Sequence, residues 1–299
     1  MTEESAASGG FAGTDRARSC IVCGELRWEP TLQILSRCVN CGYVRAEDSL
    51  SRADIERIYG EDYFDGQEYF DYLGDQTAHD RNFARKWEMM CEISGPPESV
   101  FEIGCAYGLW LQFLTSRGVR CAGIDVSQGA IRHAVDQLNQ KAVCGDFLEL
   151  DVRREGYDTY VLWDTIEHLT SPEAYIERIS QNLQGGGFLF LSTGDLGSVN
   201  AQRRGARWRM IHPPSHLHYF DRETISRLLQ RHGFRVREIR ALPIYRSLGG
   251  TLGSLNSLGQ GWMSSAAGLA HRCIPNLVLD RLGAWTDLGD IMFVAASKL

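Results

Sequence analysis

No stretch of this 299-residue sequence carries the roughly 18 consecutive apolar residues that a membrane-spanning helix needs. The nearest approach, Ser247 to His271, is uncharged, but glycine and serine recur through it. The first residues, Met1 to Ser19, lack the apolar core of a secretory signal and read as a flexible tail. A basic surplus is missing too: 31 Lys and Arg face 38 Asp and Glu, a formal charge of −7. A protein that grips nucleic acid through its phosphates normally carries an excess of cations, at least locally. Nucleic acid is therefore disfavoured as a partner. Disulfides have no evident place either, because these absences put the chain in the cytoplasm, where thiols stay reduced. What remains is an ordinary globular composition, 43% hydrophobic and 23% charged, in a chain long enough for one large domain with a small appendage.

The nine cysteines then need another explanation. Four of them fall as Cys20-x-x-Cys23 and Cys38-x-x-Cys41, with fourteen residues between the pairs. Each short turn can present two thiolates to one metal, and four soft ligands suit tetrahedral zinc. Gly24 and Gly42 follow the second cysteine of each pair, where a tight knuckle often needs positive φ. Four thiolates leave no open position for water, so zinc here would be structural. The other five, Cys91, Cys105, Cys121, Cys144 and Cys273, stand among apolar residues and read as small buried hydrophobes.

Between Ala46 and Gly95 the pattern is helical and aromatic-rich, with Ile55, Ile58, Tyr59, Tyr63, Phe64, Tyr69, Phe70 and Tyr72, then Phe83, Trp87, Met90 and Cys91. Packing helices, or a lid, would produce it. From Ser99 strands and helices alternate. Strands are expected at 99–104, 119–125, 142–144, 157–163, 188–192, 234–239 and 291–296. The helix after the second strand is marked by Ile131, Val135 and Leu138. Asp221 opens a later helix that Gly233 ends. Such alternation implies an α/β fold, a mostly parallel seven-stranded sheet covered by helices on both faces. Ligands of such sheets sit at the carboxyl ends of the strands.

The first strand runs into Glu102-Ile103-Gly104-Cys105-Ala106-Tyr107-Gly108, where glycines admit a ligand close to the backbone. About twenty residues on, Asp125 and Val126 end the second strand, with the carboxylate placed for two ribose hydroxyls. Gly145-Asp146-Phe147 closes the third, with Asp146 placed for an adenine amino group and Phe147 for the ring's edge. A dinucleotide would want G-x-G-x-x-G to admit its pyrophosphate. Here Ala106 and Leu109 occupy two of those places. A phosphate-free sulfonium cofactor, S-adenosylmethionine, fits three acids on successive strand ends better.

With these motifs the sequence resembles the class I methyltransferases, which have a Rossmann-like sheet, and within them a bacterial group with an N-terminal four-cysteine zinc ribbon. The resemblance rests on Cys20, Cys23, Cys38 and Cys41, on Glu102-Ile103-Gly104-Cys105, and on Leu162-Trp163-Asp164-Thr165-Ile166-Glu167-His168-Leu169. Gly205-Ala206-Arg207-Trp208 and Ser215-His216-Leu217-His218-Tyr219-Phe220 extend it, so that it covers roughly Cys20 to Arg240. It implies a tail at 1–18, a zinc ribbon at 19–48, a helical connector or lid at 49–98 and an S-adenosylmethionine-binding domain at 99–299. It further implies cofactor contacts from Glu102, Gly104, Cys105, Gly108, Asp125, Val126, Asp146, Phe147 and Trp163. The group methylates sugars, natural products and quinone-type rings.

Methyl transfer from a sulfonium needs no protein nucleophile, only orientation and, for a hydroxyl, a base. His168 is a candidate base or a holder of its loop, with Asp164 and Glu167 orienting. His212, His216 and His218 crowd seven positions, and an unperturbed imidazole titrates near the right pH, about 6.5. As a metal site the cluster is incomplete, because no acid or cysteine completes a ligand set. In related deoxysugar C-methyltransferases a histidine before a Tyr-Phe pair is catalytic, and His216 matches it by position. Those relatives have Glu where this chain has Ser215, and an additional C-terminal domain. O-methylation of a sugar, glycoconjugate or natural-product hydroxyl is therefore expected, with C- or N-methylation of a small molecule and base methylation as alternatives. Base methylation would want an Asn/Asp-Pro-Pro-aromatic run after the fourth strand, and Pro213-Pro214 lies in another loop. Arg203, Arg204, Arg207 and Arg209 form either a clamp for an anionic acceptor or a solvated loop. His212, His218 and Tyr219 are the remaining candidate substrate contacts.

Overall fold

The computed structural model describes residues 19–46, 75–150, 156–248, 251 and 282–299. The tail, the aromatic stretch from Ile55 to Tyr72, the segment around Trp262, and Cys273 lie outside the described residues. Among those described, no helix is long and apolar enough to cross a membrane.

The N-terminal segment forms three short antiparallel strands, β1 (Trp28–Thr31), β2 (Leu35–Cys38) and β3 (Val44–Ala46). The large sheet follows. Its inner strands β4 (Ser99–Ile103) and β7 (Thr159–Trp163) are buried at every position. β8 (Phe188–Gly194) and β13 (Ile291–Lys298) are buried at all but one end. Apolar runs of this kind belong in strands covered on both faces. With β5 (Arg120–Asp125), β6 (Ala142–Cys144) and β10 (Phe234–Ala241) they make seven strands in the order β10-β13-β8-β7-β4-β5-β6. β4 to β8 are parallel, and β13 runs antiparallel to both its neighbours.

Alternate residues of each strand face opposite ways. On one face Phe101, Ile103, Tyr160, Leu162 and Leu191 pack against Ile176 and Ile179 of α4 (Pro172–Asn182) and Ile225, Leu228 and Leu229 of α6 (Arg222–Arg231). On the other, Val100, Val161, Phe190 and Phe293 pack against Phe83, Met89 and Met90 of α1 (Gln76–Ser94) and Trp110, Phe113 and Leu114 of α2 (Leu109–Thr115). Helix ends follow local chemistry. Asp221 accepts from the Thr224 amide while the Thr224 hydroxyl accepts from the Asp221 amide, and the helix stops before Gly233 at φ 80°. An antiparallel pair of β11 (Ile244–Ser247) and β12 (Gly283–Thr286) is an addition the sequence pattern did not announce.

The N-terminal strands are not a loose appendage. A two-residue strand, β9 (His218–Tyr219), completes their sheet, pairing Val44 with Tyr219 and Arg45 with His218. Cys20, Val22, Cys38 and Tyr43 belong to the same core cluster as Phe220 and Ile225. The segment expected as a ribbon at 19–48 therefore shares both its sheet and its core with the large domain.

Candidate active site

The carboxyl ends of β4, β5 and β7 meet in one place. After β4 the chain turns sharply, with φ 79° at Gly104, 45° at Ala106 and 76° at Gly108. The turn is held from β5: Gly104 and Cys105 amides donate to the Ile124 carbonyl at 2.8 and 3.1 Å. The Asp125 carboxylate accepts from the Ala106 and Ser127 amides, each at 2.9 Å. Burial raises the Asp125 pKa, while those donors oppose the rise. Two glycines are needed for closeness as well as for φ. A Cβ on Gly104 would come within 2.5 Å of Thr165 Oγ1, and one on Gly108 within 2.8 Å of Ala134 in α3 (Gln128–Asp136).

Glu102 is buried just before this turn, with Oε2 lacking a hydrogen-bond partner. Burial drives its pKa well up, and the Lys86 charge pulls it back. Lys86, on α1, is only 6% exposed. Its ammonium lies 3.7 Å from Asp164 Oδ2 and 4.7 Å from the centre of the Trp163 ring. Sequence reading passed over it. The available signal was its place among Phe83, Met89 and Met90, on the helix face that the core covers. Val126 is exposed beyond Asp125. Asp146 accepts from the Leu148 amide at 2.8 Å and the Tyr175 hydroxyl at 2.6 Å. Phe147 points the other way. At 1% exposure it packs among Phe101, Tyr160 and Tyr175, because a ring at that position fills the core under β4.

Past β7, Asp164 sits at φ 50°, a backbone state that non-glycine residues rarely hold. Its amide donates to the Ser192 carbonyl and hydroxyl at 3.1 and 3.0 Å, and its carboxylate accepts from that hydroxyl at 2.9 Å. A 3-10 turn, Ile166–His168, follows. His168 Nδ1 meets the Ser215 carbonyl at 2.9 Å, and His216 Nδ1 meets the Met210 carbonyl at 2.8 Å. Since a carbonyl can only accept, the proton of each neutral ring sits on Nδ1 and the lone pair on Nε2. The two rings are 4.6 Å apart, and His212 lies 6.1 Å from His216. Burial lowers His168 to about 3, with the His216 charge adding to it, and lowers His216 to about 4. Burial, then the Asp164 charge, pushes Glu167 up to about 8.

Proximity in sequence misleads for the next two residues. His218 is 8% exposed, its Nδ1 bonded to the Tyr43 hydroxyl and its Nε2 2.7 Å from the Leu169 carbonyl. The Tyr219 hydroxyl donates to the His216 carbonyl at 2.9 Å. Both residues brace the loop from behind. The arginine segment is held by Asp290, which accepts from Asn200, Trp208 and Arg209 at 2.7, 2.9 and 3.0 Å. Arg209 is thereby engaged, and Arg207 is exposed. No sequence signal marked Asp290.

Away from this site, the sulfurs of Cys20, Cys23, Cys38 and Cys41 lie within 4.8 Å of one another. Cys20 to Cys41 is 3.5 Å and Cys23 to Cys38 is 3.6 Å, too long for disulfides. Metal–sulfur bonds of about 2.3 Å in a tetrahedron put sulfurs roughly 3.8 Å apart, so the cluster fits one four-coordinate cation.

The methyltransferase domain family matches residues 76–239, more than half of the chain. Ubiquinone biosynthesis O-methyltransferases are similar in part. That of Nitrosomonas europaea is 26% identical over 102 residues, 32% of this chain and 43% of its own length. That of Coxiella burnetii is 30% identical over 107 residues, 34% and 46% respectively. The chain thus spans less than half the length of these curated relatives. Among solved structures, a SAM-dependent methyltransferase from Thermotoga maritima matches with a TM-score of 0.49 and 15% identity over 75% of this chain and 92% of that one. The geranyl diphosphate C-methyltransferase of Streptomyces coelicolor, solved with S-adenosyl-L-homocysteine, matches with 0.46 and 13% over 72% and 77%. With glycine turn, strand-end acids and the matched span coinciding, the chain belongs to the class I methyltransferase domain family.

Proposed function

We propose that the protein transfers a methyl group from S-adenosylmethionine to a hydroxyl oxygen of a small acceptor. The observation that carries this reading is the convergence of Gly104, Asp125 and Asp164 with the His168–His216 pair at one end of the sheet. The cofactor, when bound, supplies the methyl group on a sulfonium. Asp125 would accept from the ribose hydroxyls and Asp146 from the adenine amino group. Val126 would cover the adenine. Glu102, Gly104, Cys105, Gly108 and Trp163 would shape the methionine end. Glu102 and Lys86 set the charge beneath it.

His216 is the base in this reading. Its Met210 contact aims the lone pair of Nε2 away from the loop backbone, and burial keeps the ring neutral at physiological pH. As the acceptor oxygen bonds to the methyl carbon and the carbon–sulfur bond breaks, the hydroxyl proton passes to His216 Nε2. His168, at right angles to it, keeps that ring in place. An acceptor bearing a carboxylate or phosphate would meet Arg207, with His212 at the same edge. The oxygen specificity draws on the O-methyltransferase names of the partial relatives. The four thiolates would hold a structural zinc ion, which stiffens the strand paired with β9.

Calorimetric titration with S-adenosylmethionine tests the cofactor. Micromolar binding that Asp125→Ala abolishes is expected, and no binding by folded protein would refute it. On a hydroxylated acceptor, His216→Ala should lower turnover about 10²- to 10⁴-fold with cofactor affinity intact. Near-full turnover in that variant would remove the base.

A further inference from the structure

The histidine loop and the turn after β7 bring together three side chains that sequence order keeps apart. Glu167, His168 and His216 each offer one ligand atom, and these atoms lie within 4.8 Å of one another. Two backbone contacts lock the loops that carry them: the Leu217 amide donates to the Glu167 carbonyl at 2.8 Å, and His168 Nδ1 meets the Ser215 carbonyl. Both imidazoles are held by carbonyls at Nδ1, the arrangement that metal-ligating histidines commonly use to fix the tautomer and aim Nε2. Glu167 adds an independent observation. It is 2% exposed, and neither carboxylate oxygen makes a hydrogen bond of normal geometry, although the Thr193 hydroxyl is close by. A buried acid without a well-formed hydrogen bond to either oxygen calls for a cation. The nearby ammonium of Lys86 is drawn instead to Asp164. The sequence offers the histidines no completing acid; the fold brings Glu167, from the turn after β7, to His216.

We propose that Glu167, His168 and His216 form a binding site for one divalent transition-metal ion. Two imidazoles and a carboxylate suit manganese, iron(II), cobalt or zinc better than magnesium or calcium. Three protein ligands leave positions open for a hydroxyl. This role, though not the binding itself, rests on the methyl-transfer reading. With the ion in place, the acceptor hydroxyl would ionise at a lower pH and lose its proton to solvent; its oxygen would then bond to the methyl carbon as the carbon–sulfur bond breaks, leaving S-adenosylhomocysteine as the thioether. His216 then serves as ligand instead of base.

Manganese separates this site from the cysteine cluster, because four thiolates disfavour so hard an ion. The full chain is titrated with Mn²⁺ and the unbound ion is read by paramagnetic resonance. One Mn²⁺ bound per chain is expected, with affinity falling at least tenfold in Glu167→Gln and in His168→Gln. Calorimetry with S-adenosylhomocysteine checks that each variant still folds its cofactor site. An undiminished signal of unbound ion with cofactor-competent wild-type protein overturns the site, as does an affinity unchanged from wild type in both variants. Should that protein still methylate a hydroxyl, the metal site falls and the function stands. Metal bound without any cofactor affinity would keep the site and overturn the function.

Discussion

Replacing Gly104 by alanine tests the close approach on which the cofactor end depends. Two costs add. The residue sits at φ 79°, where an L side chain is disfavoured by about 1–2 kcal/mol. The new Cβ would also lie 2.5 Å from Thr165 Oγ1, 2.7 Å from its Cγ2 and 3.2 Å from its Cβ. Thr165 cannot turn aside without loss, since its hydroxyl donates to the Trp163 carbonyl at 3.0 Å. Breaking that bond costs about 1 kcal/mol, and shifting the packed turn instead costs about 1–3 kcal/mol. The sum is about 2–5 kcal/mol in urea unfolding, with S-adenosylhomocysteine affinity falling in parallel. Truncating Thr165 removes the overlap but not the backbone cost. Gly104→Ala/Thr165→Ala should thus be more stable than the two single changes predict, by about 2 kcal/mol. A single-variant cost under about 1 kcal/mol, or strict additivity, would refute the reasoning.

Two further perturbations follow from the buried charges. His218 titrates near 4 in the folded chain, burial being the main cause and the Arg45 charge adding to it, against about 6.5 when unfolded. Between these values the unfolded chain binds more protons, so this stabilisation is full above pH 6.5 and is lost as pH falls toward 4, up to about 3 kcal/mol. The raised Glu167 works in the opposite sense, so the quantity to read is a difference. The urea midpoint of His218→Gln should fall less between pH 7.5 and 5 than that of the parent, and equal falls would contradict the assignment. Lys86→Met removes the cation beside Asp164 and near Glu102, leaving the buried Glu102 less compensated. A loss of about 2–4 kcal/mol is expected at pH 7.5, shrinking at pH 5 as Glu102 protonates, and a pH-independent loss would point to packing alone.

The sheet was legible because its inner strands β4, β7 and β8 are apolar on both faces, and because glycines or acids stand at or just past the ends of β4 to β8. The Val100–Ile103 run, Asp125 and Gly145 needed no tertiary information to be placed. The four cysteines were legible through spacing alone. Phe147 was not, since a residue beside a strand end can turn to the ligand or the core, and only the aromatic cluster around Phe101 decides. His216 and His218 look alike in sequence, yet period-two alternation on β9 sends His218 to Tyr43 and leaves His216 before the strand. Glu167 read as an orienting acid; that its carboxylate is buried without a well-formed hydrogen bond depends on β8, whose Ser192 hydroxyl donates to Asp164 instead. Lys86 and Asp290 act across the fold on residues far along the chain, which local pattern does not encode.

The pairing of β3 with β9 gives the cysteine module a mechanical meaning. Two residues make too short a strand to hold itself, and β9 has no place in the seven-stranded sheet. Its order comes from β3, from the Tyr43–His218 bond and from the shared core at Phe220. A segment as short as 19–46 cannot bury much apolar surface by itself, and a metal commonly supplies what such small units lack. A cation on the four thiolates would thus fix Cys38 and Cys41, these flank the turn that sets Tyr43, and Tyr43 holds the histidine loop two residues beyond His216. The strand-end acids Asp125 and Asp146 lie on other elements and gain nothing by this route. On the proposed reading, the cysteine module would therefore brace the acceptor half of the site through β9 and Tyr43, supporting the loop of His216 rather than the cofactor.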